Sequence, residues 1–422
     1  MYTTGNMDGT AAASGGILSR ERIVAKAGFN RWLVPPAALA IHLCIGMAYG
    51  FSVFWLPLSR SVGTAIGAKV PACAGAATTF WDKTLGTLTA QTFVVLGLGY
   101  FVYMIAGAFG YRLPPDGWRP DGWTPSSVQK AMITTNNVHL RDAHKTPQFW
   151  LIWAVLCLNV SAGIGIIGAA SPMLRETFGG TLFRDPSAGF TQFSDAQKTL
   201  AAAIGGGFVG LFSLFNIGGR FFWATLSDSI GRKTTYFVFF VLGVLCYAIA
   251  PTLAGMKAVA VFAAAFCIIA SMYGGGFATV PAYLADMFGT RFVGAIHGRL
   301  LTAWSTAGIA GPVIVNFLHD TRVTQGVPRD HVYDRIFYVL ACLLVAGFIC
   351  NALIRPVHAK WHMKEKGEKI PSVRGQALGA TGAYGIGRGG LDAKAFIAWA
   401  LVGIPLAWGV WKTLENAAKI FQ

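Results

Sequence analysis

Charge is scarce in this sequence. Only 12% of its 422 residues are Asp, Glu, Lys or Arg, about half the share usual in a soluble domain. Acidic residues number 18, and none stands in the middle of a long apolar run, which argues against a carboxylate proton relay inside those runs. Seven cysteines are present, yet none form a CxxC pair and all but one lie in apolar runs. That pattern excludes a thiolate metal site and reads as small packing residues. No Ser/His/Asp or Cys/His arrangement stands out, so an enzyme has no support. The first thirty residues are polar, Gly-rich and then basic, with no secretory leader pattern.

What the chain does have is apolar length. Hydrophobic residues make up 54% of it, mean hydropathy is +0.53, and several runs reach about 20 residues, the length of a bilayer crossing. The reading is an all-α polytopic membrane protein with lipid as its solvent. The net charge of +16 suits nucleic acid in principle, but the Lys and Arg sit between the apolar runs. Counted on alternate sides they divide close to two to one. That places the N-terminus and the central linker in the cytoplasm of an inner (plasma) membrane protein by the positive-inside rule, with no nucleic-acid partner.

The runs set the organisation. Residues 1–31 form a disordered basic tail, with two spans inside 32–112, about 32–56 and 87–110. His42 and Tyr49 fall in the first. His42 reads as a buried, hydrogen-bonded side chain or as a substrate or proton group, and Tyr49 as a cavity wall or a helix contact. Residues 57–86 read as a Gly/Ala/Thr-rich loop, and 113–146, with its doubled P-D-G-W, as a cytoplasmic linker built of turns. Six spans follow within 147–354: about 147–172, 200–227, 234–254, 258–285, 293–318 and 334–354. Residues 173–199 and 319–333 are expected to be loops carrying mixed charge. A basic cytoplasmic tail covers 355–394, and 395–422 holds one more apolar helix, with Trp399, Trp408 and Trp411 suited to the interface.

Arg220 is the odd residue. It lies eight positions before Asp228, so about 12 Å deeper along a helix, near the middle of a hydrocarbon layer ~30 Å thick. An arginine there costs from ~2.5 to more than 10 kcal/mol unless it faces protein, water or an anion. Asn216 is one turn earlier on the same face. Two readings stand: an anion-binding site, or an arginine whose stem snorkels to the interface.

Downstream, Ala224–Lys233 reads ATLSDSIGRK. Gly231 supplies a tight turn, and Asp228 either pairs with Arg232 or caps the next helix. This resembles the signature cytoplasmic loop of the major facilitator superfamily, G-x-x-x-D-x-x-G-R-K, with Ala224 in place of the first Gly and Lys233 closing it. Within that superfamily four stretches resemble the oxalate/formate antiporter family: Asn30-Arg31-Trp32, Lys145–Trp150 (KTPQFW), Leu214–Trp223 (LFNIGGRFFW) and Tyr283–Thr290 (YLADMFGT). The resemblance implies transport of a small organic anion by alternating access, the anion being a monocarboxylate such as lactate or formate, or oxalate. Arg220 then matches the family's substrate-pairing arginine, whose fork suits a carboxylate. Trp304 stands where the oxalate transporter has a second cation, which favours a monoanion. Trp304 either packs there or stacks on Arg220. Asn216, Tyr49, Trp304 and Ser305 complete the expected substrate-binding set.

The resemblance also implies twelve core helices in two repeats. Residues 147–354 supply the second repeat. The two earlier spans match family helices 1 and 6, so helices 2–5 are missing and the N-terminal repeat is incomplete. The final helix is similar to a small extra helix that accompanies some members, and is expected to pack outside the bundle. A truncated, non-transporting membrane protein or partner subunit is the alternative, and self-association is left open. Other signals are bland. Gly385-x-Gly387-x-x-Gly390 lacks a preceding strand and reads as linker. Gly205, Gly207 and Gly210 suit close helix packing. His358 and His362 read as a solvated face rather than a metal pair. No cofactor or metal is expected.

Overall fold

The computed structural model describes residues 24–25, 29–45, 80–112, 132–183, 192–363 and 393–418. The described residues are almost wholly helical and hold no strand beyond isolated bridges, one of them Val138 to His362. In chain order the helices are α1 (Val34–Ile45), α2 (Phe80–Gly110), α3 (Leu140–Ala143), α4 (Pro147–Leu182), α5 (Asp195–Ile230), α6 (Arg232–Gly255), α7 (Val259–Phe288), α8 (Val293–Leu300), α9 (Thr302–Thr324), α10 (Asp334–Leu353) and α11 (Ala393–Ala418). Seven segments among the described residues are long and apolar enough to cross a membrane, and Val94–Gly110 of α2 is a shorter apolar helix. Tyr49 and the side chain of His42 lie outside the described residues, as do most of 57–86, 113–131 of the linker, and 364–392 with its glycine triplet.

Two compact units divide the chain. One takes Met1–Ile45, Val94–Pro125 and Gly367–Leu406. In it Asn30 Oδ1 accepts the Trp32 N–H at 3.0 Å, which starts the 3-10 turn Arg31–Leu33 that leads into α1. The Tyr103 hydroxyl donates to the Leu401 carbonyl at 3.0 Å, and the Trp399 indole N–H donates to the Trp32 carbonyl at 3.2 Å. The first half of α11 is therefore hydrogen-bonded to α2 and to the turn before α1.

The other unit takes Gly46–Phe93, Ser126–Lys366 and Ala407–Gln422, and its core is the α4–α10 bundle. The most extensive packing is α5 on α7, then α4 on α9 and α6 on α10, with α4 also against α10 and α5. So α4 stands between α5 and α9. Fully buried aromatics fill the centre, among them Phe208, Tyr236, Tyr247, Phe262, Phe266 and Phe337. Edge-to-face and stacked rings link them, such as Phe262 and Phe266 at 4.4 Å. Helices α5 and α7 cross through small residues. A Cβ built on Gly219 would fall on the backbone of Ser271, and one on Gly274 would fall on the Asn216 carbonyl. Close backbone approach of this kind is how helices associate where lipid removes the hydrophobic drive.

Several boundaries differ from the sequence reading. Helix α2 begins at Phe80, not near 87. Helix α4 runs on to Leu182 and α5 starts at Asp195, so the expected loop 173–199 shrinks to its middle. Thr146 caps α4 by accepting from Phe149 N, and Ser194 and Gln197 form a reciprocal capping box on α5. The expected span 293–318 is found as one apolar span, Val293–Thr324, with a turn at Leu301 between α8 and α9. Most of the expected loop 319–333 is helical: α9 continues to Thr324 and a 3-10 turn covers Arg329–His331. The linker also carries order. Thr134 N donates to the Asp286 carbonyl at 2.8 Å and Val138 N to the Phe288 carbonyl at 2.9 Å, which docks 134–138 on the end of α7.

Candidate functional site

The mid-span polar groups come from three helices. Arg220 and Asn216 sit one turn apart on α5. Asn216 is buried at 6% exposure, held where its backbone meets Gly274 of α7. Next to it the Trp223 indole N–H donates to Ser271 Oγ at 3.2 Å, which fixes the rotation of α5 against α7. That rotation brings the Arg220 guanidinium over the ring of Phe277, 5.8 Å from its centroid. Phe277 meets Trp304 of α9 edge-on at 5.2 Å and Tyr273 edge-on at 5.3 Å. The result is a column across three helices: cation, phenyl, indole.

Its hydrogen bonding is one-sided. Arg220 Nε, Asn216 Nδ2 and Trp304 Nε1 are all buried, and none has an acceptor among the described residues. All three are N–H donors. Buried donors without partners cost about 1–3 kcal/mol each, and a visiting anion satisfies several at once. A cationic visitor that brings no acceptor does not match this set. Of the two described cavities, the one of about 190 Å³ is lined by linker and α7-end residues such as Asn136, Asp286 and His362. The other, of about 10 Å³, is the size of one water. Neither is lined by Arg220.

Helix α9 adds a mixed face beside Trp304. Thr302, Thr306, Ile309, Val313 and Asn316 follow one another at helical spacing and all are exposed. Ser305 is exposed too, with its hydroxyl 3.5 Å from the Leu301 carbonyl of its own helix. So the structure brings Arg220, Asn216 and Trp304 together, leaves Ser305 beside them without a contact to the arginine, and does not describe the side chain of Tyr49. The stacking partner of Arg220 is Phe277, not Trp304. Phe277 is missing from the sequence-derived set. Its signal was there: Tyr273 and Phe277 are spaced i, i+4 across Gly274-Gly275-Gly276, and both meet the same column.

The signature turn is built as a clamp. Gly231 has φ +89°, a conformation that side-chain-bearing residues rarely adopt, and it joins α5 to α6 directly. Arg232 pairs with Asp228, hydrogen-bonds Ser227 Oγ, and stands 3.8 Å from Asp286 at the end of α7. Between the two alternatives for Asp228, pairing is what is found. Lys233 donates to the Ile354 carbonyl at 2.6 Å and to the Ala352 carbonyl at 3.1 Å, capping the C-terminus of α10 where a cation is favoured. Asn351 Nδ2 answers by donating to the Lys233 carbonyl at 2.9 Å. Lys233→Met is expected to lower the thermal midpoint of the purified chain by several degrees, since hydrogen bonds to a charged group are worth about 1.5–3 kcal/mol; an unchanged midpoint would leave the clamp without energetic weight. His358 and His362 do not act as a pair. His358 caps a 3-10 turn through Lys360 N at 3.1 Å, while His362 Nδ1 stands 3.4 Å from Asn136 Nδ2. No cluster of three or more metal-ligating side chains occurs among the described residues.

The family model of the Major Facilitator Superfamily matches residues 59–312 and 207–416. The oxalate:formate antiporter of Oxalobacter formigenes is 28% identical over 283 residues, covering 67% of this chain and 55% of that protein. The chain thus spans about half the length of this curated relative. Among solved structures, a bacterial homolog to the human lysosomal transporter Spinster, inward-facing and unoccupied, aligns with a TM-score of 0.40 at 14% identity, over 73% of this chain and 66% of that one.

Proposed function

The chain belongs to the major facilitator superfamily, and from that premise we propose that it carries a small organic anion across the membrane by alternating access. The observation that supports this reading is the donor set: Arg220 Nε, Asn216 Nδ2 and Trp304 Nε1, buried and without acceptors among the described residues. In this account Arg220 pairs the carboxylate through its fork. Asn216 orients it, Trp304 donates from the side, and Ser305 stands beside them on α9. Phe277 under the guanidinium holds the fork in place and restricts its access to water. Because the donors include a single cation, the preferred cargo is a monocarboxylate such as formate or lactate, with oxalate a poorer fit. The relative's name, an oxalate:formate antiporter, points to the same chemical class. The excess of Lys and Arg on alternate sides of the spans supports a cytoplasmic N-terminus and an inner (plasma) membrane protein in this reading.

In proteoliposomes loaded with unlabelled formate, labelled formate, lactate and oxalate are expected to enter, formate and lactate faster than oxalate. Entry of none of the three would reject the cargo class.

One observation favours a second reading, a non-transporting remnant or partner subunit. The chain matches only 55% of its relative's length, and its two early spans correspond to family helices 1 and 6, without helices 2–5. The site then has one wall. Purified chain whose thermal midpoint does not move with any of the three anions would decide for this reading, because a ligand at 100 times its Kd adds about 2.7 kcal/mol.

A further inference from the structure

The column of rings beneath Arg220 rests on α4. A Cβ built on Gly163 of α4 would fall onto the edge of the Tyr273 ring, with Cγ at 3.1 Å, Cε2 at 3.2 Å and Cδ2 nearer still. Gly163 is buried, and so is Tyr273, at 2% exposure. Tyr273 meets Phe277 edge-on at 5.3 Å. Phe277 lies under the Arg220 guanidinium at 5.8 Å and against the Trp304 ring at 5.2 Å. The contacts therefore run without a gap from the α4 backbone to two of the three donors.

Neither side of the Gly163–Tyr273 contact has room to back away. Helix α4 is held on α9 two residues past Gly163. A Cβ on Gly165 would stand 2.9 Å from the Gly311 carbonyl oxygen, and one on Gly311 would stand 2.6 Å from the Ser161 carbonyl oxygen. Backbone meets backbone there, so α4 does not yield by turning a side chain. The Tyr273 ring has no space behind it either. The hollow that it shares with Gly163, Asn159, Met272 and Leu344 is about 10 Å³, enough for one water and not for a ring. A close-packed interior transmits such strain instead of absorbing it. A shift of the Tyr273 edge is thus handed to Phe277, and from Phe277 to the guanidinium and the indole.

We propose that Gly163 is a positioning residue for the anion site and sets its size selectivity. With no side chain at 163, the Tyr273 edge seats on the α4 backbone, and that seat fixes how close Phe277 stands to Arg220 and Trp304. This rests on the transport reading above. Bulk added at 163 pushes Phe277 toward the donors, so the larger of two carboxylates loses more. Bulk removed at 273 lets Phe277 fall back, so the larger one gains. The two changes act with opposite sign, which a general loss of packing does not produce.

The test measures half-saturating concentrations of labelled formate and labelled lactate with the full-length chain in proteoliposomes. One methylene more or less in a packed pocket changes discrimination by about tenfold. Gly163→Ala is therefore expected to raise the lactate-to-formate ratio of these concentrations about tenfold, and Tyr273→Leu to lower it by about threefold or more. Gly347→Ala controls for packing. A Cβ there would strike the Phe240 ring, with Cζ at 2.7 Å and Cε1 nearer still, in the α6–α10 crossing and outside the column. Its thermal midpoint should fall as that of Gly163→Ala does, while its ratio stays at the wild-type value. If Gly163→Ala is not recovered folded, Tyr273→Leu carries the sign. An unchanged ratio in Tyr273→Leu, a shift of the same sign in both variants, or an equal shift in Gly347→Ala overturns the positioning role and leaves the transport reading standing. A wild-type chain that takes up neither anion rejects the transport reading, and the proposal with it.

Discussion

Arg220→Ala is expected to reduce uptake of labelled formate or lactate by about 100-fold at subsaturating concentration, with no loss of folded stability. The two halves of this prediction have one cause. A bidentate guanidinium–carboxylate pair makes two charge-assisted hydrogen bonds worth about 1.5–3 kcal/mol each, and ~2.8 kcal/mol is a factor of 100. In the anion-free protein the same guanidinium has a buried Nε without an acceptor among the described residues and rests on the face of Phe277. Removing it therefore relieves a desolvation cost and loses only one cation–π contact, about 0.5–2 kcal/mol. The thermal midpoint of Arg220→Ala should equal or exceed that of the wild type, and its stabilisation by anions should vanish. Arg220→Lys keeps the charge but not the fork, and about a tenfold loss is expected. If alanine lowers stability while uptake is retained, Arg220 is a packing residue.

The largest structural effect is expected where α5 crosses α7. Gly219→Ala puts a methyl group onto the Ser271 backbone, whereas the adjacent Gly218 has no atom within 4 Å of where its Cβ would be. Backbone cannot step aside as a side-chain tip can, so Gly219→Ala forces the helices apart at an overpacking cost of about 1–3 kcal/mol. Gly218→Ala should be neutral or stabilising, since alanine favours a helix over glycine by about 1 kcal/mol. Thermal unfolding of the two variants in the same detergent reads the difference directly. Gly274→Leu, aimed at the Asn216 carbonyl from the other side, is expected to prevent recovery of monodisperse protein. It should also move Asn216, so any protein recovered should bind anion poorly. Equal midpoints for Gly218→Ala and Gly219→Ala would mean that the close crossing is not what holds α5 and α7 together.

Much of this was legible because lipid simplifies the code. Apolar runs near 20 residues mark spans, and the described spans of the second unit fall where the runs do. Arg220 stood out because a lone cation in such a run needs a reason, and Asn216 followed from its i−4 spacing. The charged turn was legible because Gly231 must adopt a positive φ between two helices that follow one another directly. Other features were hidden by the same logic. His319, Asp320 and Arg322 look like loop residues, yet α9 carries them, because His319 is paired on both ring nitrogens and its helix meets α4 where the oil has ended. Charge predicts a loop only while it is unpaired. Phe277 was hidden for the opposite reason: one phenylalanine among many apolar residues has no distinguishing signal until the Gly219–Ser271 crossing fixes which face of α7 meets α5. The turn at Leu301 between α8 and α9 has no proline beside it, and Gly298 in the last turn of α8 is one glycine among many in the spans. The order of residues 132–146 was unreadable because its partners are backbone groups, such as the Asp286 and Phe288 carbonyls, that no side-chain pattern reports.

The central claim is that a carboxylate anion visits the guanidinium of Arg220. Dipolar recoupling between 13C-carboxylate formate and 15N-labelled arginine in membrane-reconstituted protein measures that distance. The account predicts a carbon–nitrogen separation of about 4 Å or less, as a bidentate pair requires, and its disappearance in Arg220→Lys. Bound formate with its arginine contact unchanged in Arg220→Lys, or with no arginine contact at all, would contradict it.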